Sequence, residues 1–150
     1  MKAKLLHNES GQKTFAVVFN TGDEVANGLL AFAKEKGLAG SHFTAIGALS
    51  DVTLGFFDWD MKDYQKLQIN EQVEVLSLIG DIALDNGKPK VHAHAVVSKS
   101  DGTAHGGHLI EAHVRPTLEV ILVESPAHLV RKFNNETGLA LIDLDATRNE

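Results

Sequence analysis

The sequence predicts an α+β fold, with one main helix packed on a mostly antiparallel, strongly curved sheet or partial barrel. Three observations carry this prediction. One segment alone has a full set of helix start, stripe and stop signals. The rest of the chain breaks into short apolar and β-branched runs. Turn pairs such as Asn86-Gly87 and Asp101-Gly102 separate those runs.

In chain order, Phe15 to Phe19 (Phe-Ala-Val-Val-Phe) reads as a buried strand. Thr21 and Glu24 have capping-box spacing, which starts a helix there. Val25, Ala26, Leu29, Leu30 and Ala33 form its apolar stripe, Lys34 and Lys36 suit its C-terminal dipole, and Gly37 stops it. Phe43 to Leu49 and Val52 to Phe57 read as two strands parted by Ser50-Asp51, with a turn at Asp58 to Asp63. Tyr64 to Ile69 reads as a short strand pair or an edge. Glu71 to Ala83 leads into the turn Asp85-Asn86-Gly87-Lys88, and Lys90 to Val97 follows as a strand. Asp101-Gly102 turns the chain into Thr103 to Val114, and Thr117 to Val123 is a further β-branched strand. Pro126 to Phe133 reads as a helical turn or loop, and Leu139 to Leu144 as the last strand.

The 150 residues suit one domain spanning 1–150, with no linker, repeat or low-complexity segment inside it. Cysteine is absent, so a disulfide framework and a thiolate metal site are both excluded. Any metal must be held by His, Asp or Glu. The formal net charge is -6, and the densest basic spots are Lys88-Pro89-Lys90 and Arg131-Lys132. A DNA-binding surface needs cations against phosphates, so this balance argues against direct nucleic-acid contact. The first residues lack the apolar core of a signal peptide, and no apolar run approaches the ~18 residues of a membrane span. The expectation is a soluble, cytoplasmic protein.

The most informative feature is Val91-His92-Ala93-His94, followed in the next strand by Gly106-Gly107-His108. Neutral imidazole is the commonest protein metal ligand, and three imidazoles with an open fourth position form a known catalytic zinc arrangement. His92 and His94 share one face of a strand, roughly 7 Å apart. Register decides the third ligand. With a two-residue turn at Asp101-Gly102, His105 falls on the histidine face but too far along, while His108 points to the opposite face. One extra residue exchanges the faces, and Gly106-Gly107 is a natural place for such a bulge. The expected metal set is therefore His92, His94 and His108. His105 and His113 are weaker candidates, and His7, His42 and His128 are isolated.

Two carboxylates, Glu74 and Glu111, could orient an imidazole or act as a base, though both also read as solvated strand residues. Asp51 and Asp58 read as turn residues. Gly37-Leu38-Ala39-Gly40-Ser41 follows a helix instead of opening one, which is the wrong context for a phosphate cradle.

Taken together, the motifs resemble the PPC (plants and prokaryotes conserved) domain family. The resemblance rests on Ile46 to Phe57, Val73 to Gly80, Asp85-Asn86-Gly87-Lys88-Pro89, Val91-His92-Ala93-His94, Asp101-Gly102 and Gly106-Gly107-His108-Leu109. It covers roughly residues 14 to 144. It implies an α+β domain assembled as a homotrimer. In bacterial and archaeal members it implies a metal site, zinc foremost, which carries over to His92, His94 and His108. Plant members join the domain to AT-hook segments, but no Arg-Gly-Arg-Pro core occurs here. Prokaryotic members are often labelled as predicted DNA-binding proteins. One departure is that Phe15 to Phe19 has no arginine where many relatives place one. The reading that follows is a zinc-binding homotrimer, with metal-dependent chemistry on a small molecule held near the metal. The alternative is a DNA-associated regulatory or assembly domain without catalysis.

Overall fold

The computed structural model describes residues 1–146. The expected unit 1–150 extends into residues 147–150, which lie outside the described residues. Among the described residues, one helix and nine strands follow in the order β1 (Lys2–Glu9), β2 (Gln12–Asn20), α1 (Val25–Lys36), β3 (Gly40–Asp58), β4 (Asp63–Ile69), β5 (Val73–Asp85), β6 (Lys88–Ser98), β7 (Ala104–Glu124), β8 (Val130–Asn134) and β9 (Leu139–Asp143). The predicted α+β class is observed.

The helix forms where its signals lie, with one change at the start. Glu24, and not Thr21, is the N-cap: its carboxylate accepts from the backbone N–H of Ala26 at 3.1 Å and Asn27 at 2.6 Å. Thr21 instead donates its hydroxyl to the Pro116 carbonyl at 3.2 Å. The two free N–H groups therefore take a charged acceptor, which also suits the positive end of the helix. At the other end, Gly37 adopts φ 65°, and the Leu38 N–H reaches the Ala33 carbonyl at 2.9 Å. This is a Schellman stop. Val25, Leu29, Phe32 and Ala33 are buried. Phe32 meets Phe15 of β2 edge-on at 5.3 Å. Gly28 lets the helix settle on β2, since a Cβ there would come 2.4 Å from the Phe19 ring.

The strands form one sheet in the order β1-β2-β7-β3-β5-β8-β9, with β4 beside β3. β6 pairs with both β5 and β7, so β3, β5, β6 and β7 close into a ring. This is the predicted partial barrel. Pairing is antiparallel except for the short parallel contact of β5 with β8. The two strands expected around Ser50-Asp51 are one long strand, β3, and those expected on either side of Pro116 are also one, β7. Register shifts along the β3–β7 ladder bend both, as bulges do. The core is a continuous cluster between α1 and the sheet that includes Leu29, Phe32, Phe43, Leu78, Val97, Leu118 and Leu122.

Two elements differ from the sequence reading. β1 is a fully exposed edge strand, joined to β2 by Ser10-Gly11, both at positive φ. That is the geometry of a type I′ hairpin turn. Residues 130–134, expected to be loop or helical turn, form β8, whose Val130 packs with Ala39 and Leu84. No helix among the described residues is long and apolar enough to cross a membrane.

Candidate metal centre

His92, His94 and His108 converge on the face of β6 and β7 that points away from the core. Ala93, Ala95 and Val97 turn inward, so the alternating histidines of β6 turn outward. Across the ladder His108 pairs directly with His94. The ring centroids form a nearly equilateral triangle: 5.2 Å for His92–His94, 5.2 Å for His92–His108 and 5.3 Å for His94–His108. One nitrogen from each ring lies within 4.8 Å of the other two. They are the one group of three or more His, Asp or Glu side chains among the described residues with that geometry.

The face of His108 is set by the turn, not by Gly106-Gly107. The Lys99 N–H donates to the Thr103 carbonyl at 3.0 Å, and the Gly102 N–H to the Lys99 carbonyl at 3.0 Å. Ser100, Asp101 and Gly102 thus make a three-residue loop with Gly102 at φ 82°. A three-residue hairpin carries its extra residue as a left-handed glycine at the end of the turn. From there the ladder runs without interruption from Ser98↔Ala104 to His94↔His108. The expected bulge at Gly106-Gly107 is absent. Gly107 serves close packing instead: a Cβ there would stand 2.7 Å from the Gly55 carbonyl oxygen of β3.

Three residues that the sequence reading did not single out complete the surroundings. Asp81 of β5 lies opposite His92, with its Oδ2 3.7 Å from His92 Nδ1. Arg131 of β8 binds the other oxygen of Asp81 through Nη2 and donates from Nη1 to the Ala140 carbonyl at 3.1 Å. Burial pushes the Asp81 carboxyl up, but the contacts with His92 and Arg131 outweigh it, and the carboxyl sits below its ordinary range. Tyr64 of β4 stacks on His108 with centroids 4.6 Å apart. Gly55 makes room for it, since a Cβ there would lie 2.7 Å from the Tyr64 ring.

At His94 and His108 the electrostatics favour neutral imidazole, the form that ligates metal. Burial, with His92 and His94 adding to it, lowers the His108 pKa to about 4. Burial and the neighbouring His92 also lower that of His94. His108 Nδ1 is buried with no hydrogen-bond partner. A tetrahedral zinc with bonds near 2.0–2.1 Å spaces its nitrogens about 3.4 Å apart, so each ring need move inward only on the order of 1 Å. The donor set, the lowered pKa of His94 and His108 and the orphaned nitrogen all fit a divalent transition metal.

The other sequence candidates lie elsewhere. Glu74 pairs with Ser98 at the far end of β6 and is exposed. Glu111 lies opposite Thr53 and acts on His113, raising its pKa, after the larger effect of the Asp51 hydrogen bond. His113 Nδ1 meets Asp51 at 2.8 Å, so Asp51 is a strand residue with a partner, not a turn residue. His105 pairs with Val97 and falls on the opposite face from the triad.

The fold and this site define a histidine-triad β-ring domain, and the comparisons place it. The model of the Plants and Prokaryotes Conserved (PCC) domain matches residues 6–126, and the chain belongs to that family. A solved structure from Archaeoglobus fulgidus, described as a metal-containing protein, is 34% identical with a TM-score of 0.80, over 87% of this chain and 92% of that one. A plant- and prokaryote-conserved protein from Pyrococcus horikoshii is 28% identical with a TM-score of 0.82, over 97% of both chains. A protein from Bacteroides thetaiotaomicron, described as a candidate DNA-binding protein, is 28% identical with a TM-score of 0.85, over 96% of this chain and 99% of that one. No curated protein matches the chain.

Proposed function

We propose that this protein binds one divalent transition metal, zinc foremost, through His92, His94 and His108, and uses it in chemistry on a small molecule. The observation that carries the reading is the convergence of three imidazoles, one of which, His108, also holds a buried, unpartnered Nδ1. The relative described as metal-containing supports it. Three protein ligands leave a coordination position for water or substrate. Bound there, a divalent metal supplies Lewis-acid polarisation and activation of water. The protein's own residues do the rest. Asp81 faces His92 and orients its ring, as carboxylates behind metal-binding histidines do. Arg131 fixes Asp81 in turn. Tyr64 covers the outer side of His108 and shields it from solvent.

Zinc titrated into chelator-treated protein in a calorimeter tests this reading. One zinc per chain is expected for the wild type, and none for His94→Ala at the same concentrations. Equal uptake by both proteins contradicts the assignment.

The family resemblance also implies a homotrimer, and an apolar patch supports that expectation. Ile79 of β5, Thr44 of β3 and Ile121 of β7 lie side by side across three strands. Ile46, Leu76, Ile79 and Ile121 are between 46% and 63% exposed. We propose that neighbouring copies cover this patch. The DNA-associated reading draws on the relatives described as candidate DNA-binding proteins, but the net charge of -6 opposes direct contact with phosphates.

A further inference from the structure

We propose that the cleft between the histidine triad and the β8–β9 hairpin binds a small carboxylate with a short apolar chain; this rests on the reading of the triad as a metal site. The cleft measures about 210 Å³ and opens to solvent, smaller than a drug-sized pocket and suited to a ligand of only a few heavy atoms. His92, His108 and Tyr64 line one side, and Arg131, Leu139 and Leu141 the other. The hairpin lies beyond residue 126, where the family match ends.

Charge sets the sign of the ligand. Three neutral imidazoles cancel none of the metal's two positive charges. Around the cleft, Arg131 is matched by Asp81, and Lys90 by Asp85 at 2.8 Å. The metal's charge is left for an anion to balance. Arg131 points to the same ligand independently. Its side chain is 6% exposed, it lines the cleft, and its Nε is buried with no acceptor. Nη1 and Nη2 are taken by the Ala140 carbonyl and Asp81, which leaves the buried Nε as the guanidinium donor that a carboxylate oxygen would satisfy. Val91, Leu139 and Leu141 give the rest of the cleft apolar walls, which suit a hydrocarbon chain more than a bare phosphate.

The test is calorimetric titration of butyrate into the zinc-loaded protein, with butanol and inorganic phosphate as parallel titrants. Zinc loading of every sample is verified first. Saturable binding of butyrate is expected, with no binding of butanol and weaker binding of phosphate. Arg131→Gln should weaken butyrate by at least about tenfold. Leu141→Glu places a negative charge on the cleft wall at a residue 41% exposed, so it keeps the fold and should weaken butyrate similarly. Zinc loading without butyrate binding, butyrate binding unchanged in Leu141→Glu, or phosphate binding tighter than butyrate each overturns the carboxylate assignment alone. Failure of the wild type to load zinc overturns the metal reading and this proposal with it.

Discussion

His108 is held between Tyr64 on one side and the two histidines of β6 on the other, and its acid–base behaviour follows from that position. Its folded pKa of about 4 lies below the ordinary 6.5. Between those values the unfolded chain binds more protons than the folded one, so metal-free protein loses stability as pH falls from 6.5 toward 4. Urea unfolding of chelator-treated protein should show that acid loss, and His108→Gln should reduce its slope. Asp81 gives a second expectation. Asp81→Asn keeps the size of the side chain but removes the charge facing His92 and Arg131, and should weaken zinc binding by roughly 10–100-fold in a competition with a coloured chelator. An unchanged affinity would show that Asp81 only anchors β8. Asp81 was within reach of the sequence: the two-residue turn Asn86-Gly87 pairs Asp85 with Lys88, and counting four residues outward on each strand sets Asp81 opposite His92. Arg131 and Tyr64 were not, because their places depend on the parallel docking of β8 and on a ring reaching across β3.

The β6–β7 hairpin shows how an element brings three imidazoles together. The histidine spacing alone identified the three residues, since period-two alternation puts His92 and His94 on one face and a single extra residue brings His108 to them. The location of that residue was misread because both glycine sites, Gly102 and Gly106-Gly107, satisfy the arithmetic. Only Gly102 takes the left-handed conformation. The two glycines of the Gly-Gly pair therefore differ in what they tolerate. A Cβ at Gly107 would meet backbone oxygen at 2.7 Å, whereas one at Gly106 would meet its nearest atom at 3.3 Å. Gly107→Ala should destabilise the fold by about 1–3 kcal/mol, the cost of overpacking a filled site, and Gly106→Ala by clearly less. Chemical denaturation of both variants checks this, and equal effects would contradict it. The helix was legible because its stripe and stop are local signals. β1 and β8 were not, because an exposed edge strand buries no alternating face and a five-residue strand depends on its neighbour.

At the scale of the whole molecule, the outward face of the ring carries two features side by side. Ile79 lies opposite His94 in the β5–β6 ladder, so the exposed apolar patch abuts the histidine triad. A trimer that covers this patch would also wall the histidine triad. Ile46→Glu combined with Ile121→Glu puts two charges in the patch at residues 63% and 46% exposed, where the fold of one chain does not need them. Light scattering after size exclusion should show a trimer for the wild type and a monomer for the double variant. A monomeric wild type would contradict the assembly. The partial barrel itself was legible in outline, from many short runs and tight turns. That β3 and β7 are single bent strands was not, because Ser50-Asp51 and Arg115-Pro116 read as breaks in a sequence and act as bends within a ladder.

The central claim is a metal held by His92, His94 and His108. Elemental analysis of protein purified without an affinity tag or added metal tests it most directly, with His92→Ala/His94→Ala as the comparison. The account predicts about one zinc or other transition metal per chain in the wild type and a loss of that metal in the double variant. A wild type that carries no metal, even after incubation with zinc, would contradict it.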